Sequence, residues 1–233
     1  MEHVSKVTHN LKKMCEQYHQ VAMERERLTG QTTPTISKPI NWEYYGIYKR
    51  FRHVEIATMD VATDNAIAFE VIKDYASHIV DNLNQGLGLI IKGPVGTGKT
   101  TAAIAIMKEA IKHKKSPYFI SMISLLDKLM SFRDQEERYE FEQRIQNCPL
   151  LVLDDLGGEY IGKNKEESWM LKRIMSIIDE RYQRSKSIII TTNLPIKELA
   201  ERYDQRAIDR IRSTNQIITL LGESLRKEEW RKS

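Results

Sequence analysis

A short apolar run that ends in a glycine-rich loop constrains the fold of this chain more than any other feature. The run is GLGLIIK at residues 86–92, the loop is GPVGTGKT at residues 93–100, and AAIAIMKEAI follows with helical periodicity. A strand, a glycine-rich turn and a helix in this order form a cradle for phosphate, because glycine lets successive backbone N–H groups point inward. The sequence therefore predicts a phosphate-binding loop at this point in the chain.

Each residue type in this loop has a predicted role, because the loop fits the pattern G-x-x-x-x-G-K-[ST]. Backbone amides and the N-terminus of the following helix would hold phosphate oxygens. The Lys99 ammonium would reach the β and γ phosphates of a nucleoside triphosphate, and the Thr100 hydroxyl would bind Mg²⁺. The predicted nucleotide-binding residues are Gly93, Pro94, Val95, Gly96, Thr97, Gly98, Lys99, Thr100 and Thr101.

A second apolar strand, LLVLDD at residues 150–155, ends in two carboxylates. In an open parallel sheet, ligands bind at the carboxyl ends of the strands. We therefore predict that Asp154 binds Mg²⁺ with Thr100 and that Asp155 polarises the water that attacks the γ-phosphate. The alternative interpretation is that the two acids only begin a turn or cap a helix.

A third apolar strand, IIITTN at residues 188–193, ends in polar groups. The side-chain amide of Asn193 is predicted to hold the attacking water against the γ-phosphate. An ordinary turn in which Asn193 bonds its own backbone is the competing interpretation.

Short strands that are apolar throughout alternate with helices, which indicates an α/β fold with a parallel sheet covered on both faces. The other predicted strands are PYFIS and QIITL. Helices are predicted near residues 63–82, 99–113, 122–131, 136–147 and 167–183, followed by two short helices through 195–212 and a last charged helix at the C-terminal end. Because PYFIS lies between the loop-bearing strand and the acidic strand, those two need not be neighbours, which is typical of AAA+ P-loop NTPases (the ASCE type).

Two further segments flank this core. Apolar residues spaced by three and four predict a helix from about residue 3 to 28, and TGQTTPTISKP after it resembles a flexible tether. We interpret residues 1–30 as a helical interaction segment, 31–50 as a linker and 51–233 as the ATPase domain, although the first helix could also fold back on its own domain. About 40 residues follow Asn193, too few for the last strand and a full helical lid, so we predict a minimal or absent lid.

Composition narrows the possible partners. A net charge of +4 permits nucleic acid as a partner without requiring it. No apolar run reaches the length of a membrane span, so we expect a cytoplasmic protein without a membrane partner. Cys15 and Cys148 lie far apart in the sequence, which predicts neither a disulfide framework nor a zinc site.

Four stretches, LLVLDDLGGE, IIITTNLP, ERYDQRAIDRIRS and LGESLRKEEW, resemble the bacterial and phage replicative helicase loaders of the DnaC/DnaI type. They resemble the transposition ATPases of the IstB type less closely. The likeness covers about residues 50–230. It implies an AAA+ ATPase that uses ATP and Mg²⁺, self-associates into an oligomer, and loads a hexameric replicative DNA helicase onto single-stranded DNA, with the N-terminal helix gripping the helicase.

The resemblance also implies roles for three arginines. Arg210 matches the arginine finger that completes a neighbouring subunit's site, and Arg206 is the alternative on the same helical face. Either could instead be a surface arginine paired with Asp204 or Asp209. Arg226 matches the sensor 2 arginine of the family, unless it only lies on an exposed helix.

Single-stranded DNA is predicted to contact two regions. The segment YYGIYKRFRH at residues 44–53 mixes aromatic and basic side chains that can stack on bases and neutralise phosphates, although it could equally be a structural entry to the domain. By resemblance, the two helices within residues 122–147 form the DNA-contacting region of the loaders. Their candidate contacts are Lys128, Phe132, Arg133, Arg138, Tyr139 and Arg144.

The chain departs from the family at one catalytic position. Asp155 stands where AAA+ proteins usually have glutamate, which shortens the side chain and predicts slow turnover, unless Glu159 compensates. Two other functions therefore remain open beside helicase loading. One is an IstB-type helper ATPase that directs a transposase, and the other is a nucleotide-gated DNA-binding adaptor without significant hydrolysis.

Overall fold

The computed structural model describes residues 40–59, 63–158 and 165–225 of the chain. Its strands are β1 (Gly88–Lys92), β2 (Tyr118–Ser121), β3 (Leu150–Asp154), β4 (Ser187–Thr192) and β5 (Asn215–Thr219). Its α-helices are α1 (Ala66–Ser77), α2 (Ile79–Gln85), α3 (Lys99–Lys112), α4 (Met122–Ser131), α5 (Gln135–Asn147), α6 (Lys165–Gln183), α7 (Ile196–Tyr203) and α8 (Gln205–Thr214). Short 3-10 helices span Lys49–Phe51, Ile56–Thr58 and Thr63–Asn65.

The five strands form one parallel sheet in the order β2-β3-β4-β1-β5. Strand β4 therefore separates the loop-bearing strand β1 from the acidic strand β3, whereas β2, the strand between them in sequence, lies at the edge of the sheet. Ile190 of β4 pairs with Ile90 on one side and with Leu153 on the other, so the three strand ends lie side by side. This register brings the phosphate loop and the two carboxylates to the same edge of the sheet.

Strands β3 and β4 are buried along their whole length and β1 along all but its last residue, which explains their apolar runs, whereas the edge strand β5 has three exposed positions. Because successive side chains in a strand point to opposite faces, Leu89 and Ile189 enter one hydrophobic cluster while Ile90 and Ile190 enter the other. The first cluster includes side chains from α1, α2 and α3, and the second includes side chains from α4 to α8. The parallel α/β prediction is confirmed.

One predicted helix is interrupted. The pattern at residues 63–82 predicts a single helix, whereas the structure has the Thr63–Asn65 turn, then α1, a break at His78, and α2. The His78 ring nitrogen Nδ1 lies 3.0 Å from the Asp74 carbonyl oxygen, and the Asn82 side chain donates to the Tyr75 carbonyl at 2.9 Å. The Asp74 carbonyl also accepts from the His78 backbone amide, as in a continuous helix, whereas the Tyr75 carbonyl is satisfied by the Asn82 side chain, so the helix can end there.

Residues 40–50, which the sequence interpretation places in the linker, pack on the core. Ile47 is 1% exposed, and the backbone amide of Phe119 donates to the Tyr45 carbonyl at 2.9 Å, beside strand β2. Gly46 has φ of 76°, and a Cβ there would lie 2.2 Å from the Phe119 carbonyl oxygen. This part of the predicted linker is therefore folded, because a single buried isoleucine and a glycine that permits close approach hold it against β2.

A buried arginine connects the C-terminal end of α5 to the start of β4. Arg181 is 1% exposed, and its Nη1 donates to the carbonyls of Ile145 at 2.6 Å and Gln146 at 3.3 Å. Its Nη2 donates to the Ser187 carbonyl. Burial lowers the pKa of Arg181, opposed only by its contact with the Cys148 sulfur. The last carbonyls of a helix lack partners within the helix, so this side chain satisfies groups that would otherwise be buried unpaired.

The predicted helix near residues 3–28 lies outside the described residues, as do the residues after 225, where the last charged helix is predicted to continue, and the boundary predicted at residue 30. The domain boundaries on that side stay predictions. Among the residues that the structure describes, none of the helices combines the length and the apolar character needed to cross a membrane.

Candidate functional site

The phosphate loop turns between β1 and α3 on three glycines with positive φ. Gly98 has φ of 90° and is the N-cap of α3. A Cβ at Gly96 would lie 2.1 Å from the Ser224 hydroxyl oxygen, and one at Gly93 would lie 2.1 Å from the Leu220 carbonyl oxygen. The segment after β5 thus lies directly against the loop, and only glycine fits these positions without displacement.

Lys99 opens α3 and folds its side chain back across the loop. It is 7% exposed, and its ammonium donates to the Gly93 carbonyl at 2.8 Å and the Pro94 carbonyl at 2.6 Å. The Thr97 hydroxyl also donates to the Pro94 carbonyl, at 2.9 Å. The ammonium is therefore held inside the loop, where phosphate oxygens would be attractive acceptors in place of the loop's own carbonyls.

Thr100 and Asp154 meet at hydrogen-bond distance although they lie on different elements. The Thr100 hydroxyl donates to Asp154 Oδ1 at 2.9 Å, and the Thr191 hydroxyl donates to the same oxygen at 2.7 Å. Burial raises the pKa of Asp154, the two hydroxyl hydrogen bonds lower it, and the nearby charge of Asp155 raises it further. A hydroxyl and a buried carboxylate with this spacing fit the oxygen ligands that Mg²⁺ prefers.

Asp155 follows β3 in a left-handed backbone conformation, with φ of 61°. Its backbone amide donates to the Thr191 hydroxyl at 2.8 Å, and its carboxylate accepts from the Asn193 side-chain amide at 3.0 Å. Positive φ is uncommon for residues other than glycine and recurs at functional sites. The structure thus brings Asp155 and Asn193 together, with the Asn193 amide donating to the Asp155 carboxylate. The role of Asn193 in holding the attacking water stays a prediction.

Sequence reasoning missed the two threonines that organise this edge. Thr191 bonds both acidic residues, while the Thr192 hydroxyl donates to the Leu156 carbonyl at 2.6 Å and accepts from the Leu194 amide at 3.0 Å. The turn after β4 is therefore closed by Thr192 and not by Asn193, contrary to the competing turn interpretation. Two hydroxyls at the end of an otherwise apolar buried strand were the available signal.

One cavity of about 890 Å³ joins these groups at the carboxyl ends of β1, β3 and β4. The phosphate loop, Asp154, Asp155, Thr191 and Asn193 line one part of it. Other parts of the wall come from the segment of residues 50–59, from α1 and from the residues after β5. The volume is in the range of small-molecule sites, so the cavity has room for a nucleoside beside the phosphates.

This cavity also changes the interpretation of the aromatic and basic segment that the sequence suggested for DNA. Arg50, Phe51 and His53 line the cavity wall. Arg52 pairs with Glu43 at 3.2 Å. The segment therefore contributes to the cavity, in agreement with the structural alternative named for it, and its contact with DNA stays a prediction.

Arg210 lies away from this cavity. It is on α8, where its guanidinium bonds the Asp179 carboxylate of α6 and lies 5.9 Å from the Tyr182 ring centroid. The hollow that Arg210 lines is formed by the ends of α2, α6 and α8 and shares no residue with the nucleotide cavity. Within one chain the structure does not bring Arg210 to the site.

The alternative pairing of these arginines is wrong for Arg210, whose partner is Asp179 and neither Asp204 nor Asp209. Asp204 caps α8 by accepting from the Arg206 backbone amide at 2.7 Å, and the Arg206 side chain is exposed. Asp209 accepts from Gln205 at 2.9 Å. Arg226 and Glu159 lie outside the described residues, so their roles stay predictions.

The cations proposed for DNA on α4 and α5 make contacts within the fold. Lys128 lies 5.1 Å from the Phe141 ring, and Arg138 bonds Glu142 at 3.1 Å. Arg144 lies over the rings of Tyr44 and Tyr118 and donates to the Tyr44 carbonyl. Lys128 thus joins α4 to α5 and Arg144 joins α5 to the segment 40–50 and to β2, whereas the Arg138 pair lies within α5.

Two other predicted DNA contacts project from the same region. Tyr139 on α5 is 62% exposed, and Arg133 in the connection before α5 is exposed. Phe132 is partly buried, with its ring 5.3 Å from that of Phe141. DNA binding by α4 and α5 would therefore depend on Arg133 and Tyr139 more than on Phe132.

Comparison with known proteins identifies relatives in two groups. An ATP-binding protein of insertion sequence IS21 from Pseudomonas aeruginosa is 30% identical over 151 residues, which cover 62% of this chain and 54% of that protein. The corresponding IS232 protein of Bacillus thuringiensis subsp. berliner is 27% identical over 177 residues, 74% of this chain and 68% of that protein. The replicative helicase loader DnaC of Buchnera aphidicola subsp. Baizongia pistaciae is 27% identical over 160 residues, 67% of this chain and 62% of that protein.

Solved structures show the same fold. The crystal structure of the DnaC helicase loader matches with a TM-score of 0.64 and 27% identity, over 74% of this chain and 99% of that chain. DnaA from Aquifex aeolicus bound to AMPPCP matches with a TM-score of 0.59 and 22% identity, over 72% of this chain and 50% of that chain, which supports the AAA+ fold alone. The IstB-like ATP binding protein family matches residues 47–233, far more than half of the sequence. The chain therefore belongs to the IstB-like ATP binding protein family.

Proposed function

We propose that this protein binds and hydrolyses Mg·ATP and uses the bound nucleotide to control a partner protein that acts on DNA. The observation that carries the proposal is the 2.9 Å hydrogen bond between Thr100 and Asp154, which lies beside the buried Lys99 ammonium in one cavity. A loop that wraps phosphate, a cation and a metal-binding pair converge there, and the family to which the chain belongs is one of ATP-binding proteins.

Phosphate binding would fall to the backbone amides of residues 95–100 and to Lys99. Thr100 and Asp154 would hold Mg²⁺, and Thr191 would keep Asp154 oriented through the hydrogen bond that it donates. The metal would supply neutralisation of charge on the β and γ oxygens of the nucleotide. Lys99 would exchange the loop carbonyls for phosphate oxygens as acceptors.

Hydrolysis would depend on Asp155. Its carboxylate would accept the proton of the attacking water, and Asn193 would orient the carboxylate or the water through its amide. Because aspartate is one methylene shorter than glutamate, we expect slow turnover, which suits a switch whose nucleotide state persists between events.

Calorimetry with wild-type protein and Lys99→Ala tests the nucleotide site directly. Wild type is expected to bind Mg·ATP in the micromolar range, and Lys99→Ala at least about tenfold more weakly because it loses a charged hydrogen bond to phosphate. No binding by the wild type up to millimolar Mg·ATP would overturn the proposal. Phosphate release above that of Lys99→Ala, measured with and without single-stranded DNA, would reject the adaptor that never hydrolyses ATP.

The first candidate for the partner is a hexameric replicative helicase. The chain covers 99% of a DnaC helicase loader of known structure at 27% identity. In this function the protein would load the helicase onto single-stranded DNA, with residues 1–28 making the contact. A stable complex with the helicase that is lost when residues 1–28 are deleted supports loading.

The second candidate is a transposase, and the relatives favour it at least as well. The family itself is IstB-like, and several curated relatives are ATP-binding proteins of insertion sequences. In this function the protein would bind DNA as an ATP-dependent oligomer and direct a transposase. Binding to a transposase but not to a replicative helicase, with the same purified protein and nucleotide, selects this candidate and rejects the first.

In either function we propose that the ATP site is completed between subunits. Arg210 lies outside the cavity of its own chain. A neighbouring copy could present it to the γ-phosphate, where an arginine of this kind accelerates transfer by about 10³ to 10⁵. If the site is completed between subunits, we expect the protein to self-associate in a way that depends on Mg·ATP, which light scattering measures.

A further inference from the structure

The segment of residues 50–59 forms a cavity wall although it contains little regular structure. Its only regular elements are 3-10 turns that end at Phe51 and span Ile56–Thr58. If the loop 93–98 holds the phosphates, the nucleoside of a bound nucleotide is left to this wall and to Phe69 and Ile72 of α1. A wall without its own hydrogen-bond ladder must be held in place by contacts from elsewhere.

Lys108 makes those contacts. It lies on α3, is 4% exposed, and its Nζ donates to the carbonyls of Arg52 at 3.1 Å and Val54 at 2.5 Å. The same Nζ lies 2.7 Å from the Glu55 carboxylate. An ammonium carries three N–H groups, so all three are matched by acceptors on three residues of the wall, Arg52, Val54 and Glu55.

The Trp42 ring flanks the Lys108 ammonium, and a second lysine, Lys112, shares its carboxylate partner Glu55. The Trp42 ring centroid lies 5.0 Å from the Lys108 Nζ. Lys112, one turn further along α3, bonds Glu55 at 2.8 Å and Glu109 at 2.8 Å. Burial by itself would raise the pKa of Glu55, but the hydrogen bonds and charges of the two lysines outweigh it and lower that pKa. Glu55 is therefore an anion at neutral pH.

The helix that carries Lys108 also carries the phosphate site. Lys99 and Thr100 begin α3, and Lys108 follows nine positions after Lys99, about 13 Å along the helix axis. Fully buried side chains of α3, such as Ile104 and Ile106, pack it in the core. One rigid helix thus sets the distance between the phosphate loop and the segment 50–59.

We propose that Lys108 is a positioning residue for the nucleoside end of the bound nucleotide. By holding the carbonyls of residues 52 and 54, it keeps the wall at the spacing that a base and ribose require, while the phosphate site forms without it. This inference rests on the proposed nucleotide-binding function. It assigns to Lys108 the support of that part of the ATP affinity that comes from the base and ribose and not from the phosphates.

Calorimetry with two magnesium-bound ligands, ATP and inorganic tripolyphosphate, tests the assignment in the full-length protein. Lys108→Met keeps an unbranched side chain that is one atom shorter, and it removes all three donors. It is expected to weaken ATP binding at least about tenfold while changing tripolyphosphate binding less than about twofold. The matched control is Lys112→Met, which loses bonds to carboxylates only and is expected to keep ATP affinity within about threefold.

The outcomes separate this inference from the function on which it rests. Equal weakening of ATP and tripolyphosphate in Lys108→Met, or no weakening of ATP, overturns the role of Lys108. Wild-type protein that binds neither ligand overturns the proposed function instead. If wild type binds ATP but not tripolyphosphate, the test compares the ATP affinity of Lys108→Met with that of Lys112→Met. A similar loss of ATP affinity in both variants overturns the inference.

A second variant covers the case in which Lys108→Met does not fold, as shown by circular dichroism. Glu55→Gln changes a half-buried side chain and removes the charge that fixes the Lys108 ammonium. It is expected to weaken ATP binding about three- to tenfold with tripolyphosphate binding unchanged. Unchanged ATP affinity in this folded variant overturns the inference.

Discussion

The side-chain amide of Asn193 donates a 3.0 Å hydrogen bond to the carboxylate of Asp155, which joins the residues that follow β4 and β3. Asp155 is also held by its backbone amide on Thr191. The carboxylate therefore has its direction set by two groups on the neighbouring strand end.

Asn193→Ala is expected to slow phosphate release about 10- to 100-fold while Mg·ATP affinity stays within about threefold, because Asp155 loses its orientation and keeps its charge. Single-turnover phosphate release and calorimetry measure the two quantities. Asp155→Asn is the comparison, and its rate of phosphate release is expected to fall about 10²- to 10⁴-fold. Wild-type turnover in Asn193→Ala would show that the hydrogen bond has no part in hydrolysis.

Gly96→Ala is expected to lower the free energy of unfolding by about 1–3 kcal/mol and to weaken Mg·ATP binding. The added Cβ would meet the Ser224 hydroxyl at 2.1 Å in a backbone with φ of 85°. Gly222→Ala is the matched control, since it shares a positive φ of 97° but meets nothing within 4 Å. It should be destabilised by the backbone strain alone and keep nucleotide affinity, and equal effects in both variants would contradict the steric explanation.

Arg210→Ala is expected to abolish most phosphate release with little change in Mg·ATP affinity. Mixing it with Asp155→Asn should restore part of the activity, because mixed oligomers contain interfaces with an intact Arg210 opposite an intact Asp155. Asp179→Ala, which removes the partner of Arg210 and leaves the arginine free to move, serves as control and should retain hydrolysis. No restoration on mixing would argue against a site shared between subunits.

Arg181→Met is expected to lower the free energy of unfolding by about 2–5 kcal/mol, because the carbonyls of Ile145, Gln146 and Ser187 lose a buried donor. Urea unfolding followed by circular dichroism measures the change. Arg184→Met, at an exposed position three residues later, is expected to cost less than about 1 kcal/mol. Similar losses in the two variants would mean that the buried carbonyls find other partners.

Cys148 is expected to resist alkylation in the native protein. Burial raises the pKa of its thiol, although Arg181 opposes this, so the folded state keeps the proton that the unfolded thiol loses near pH 9. The contribution of this thiol to stability is therefore fully present below that pH and declines as the pH rises further. Iodoacetamide labelling of Cys15→Ser, followed by mass spectrometry in native buffer and in urea, checks this. Rapid labelling in native buffer would contradict it.

The sequence predicts the sheet well, as it does the glycine-rich turn between β1 and α3, because both depend on local patterns. Apolar strands buried on both faces, a glycine-rich loop and acids at a strand end each follow from a few consecutive residues. That β1 and β3 need not be neighbours was expected, but the strand between them in sequence, β2, lies at the edge of the sheet, and β4 is the strand that separates them. The roles of the individual site residues stay predictions until variants are measured.

Features that depend on distant contacts were not predictable in the same way. Arg144 reads as a free cation in the sequence but lies over Tyr44 and Tyr118 in the structure. Lys108 looks like an ordinary polar position of an amphipathic helix, yet it is buried against a segment more than fifty residues earlier. Hydrophobic periodicity reports which side of an element is buried and carries no information about which partner covers it.

The folding of Tyr45 and Gly46 against Phe119 has a consequence for how copies of this protein can assemble. Strand β2 is at one end of the sheet, and an open strand edge can recruit a strand from another molecule. Here the Phe119 amide is already engaged by the chain's own Tyr45 carbonyl. A strand from another copy could therefore pair with β2 at Phe119 only by displacing the chain's own Tyr45, so this edge of the sheet is protected from strand addition at that point.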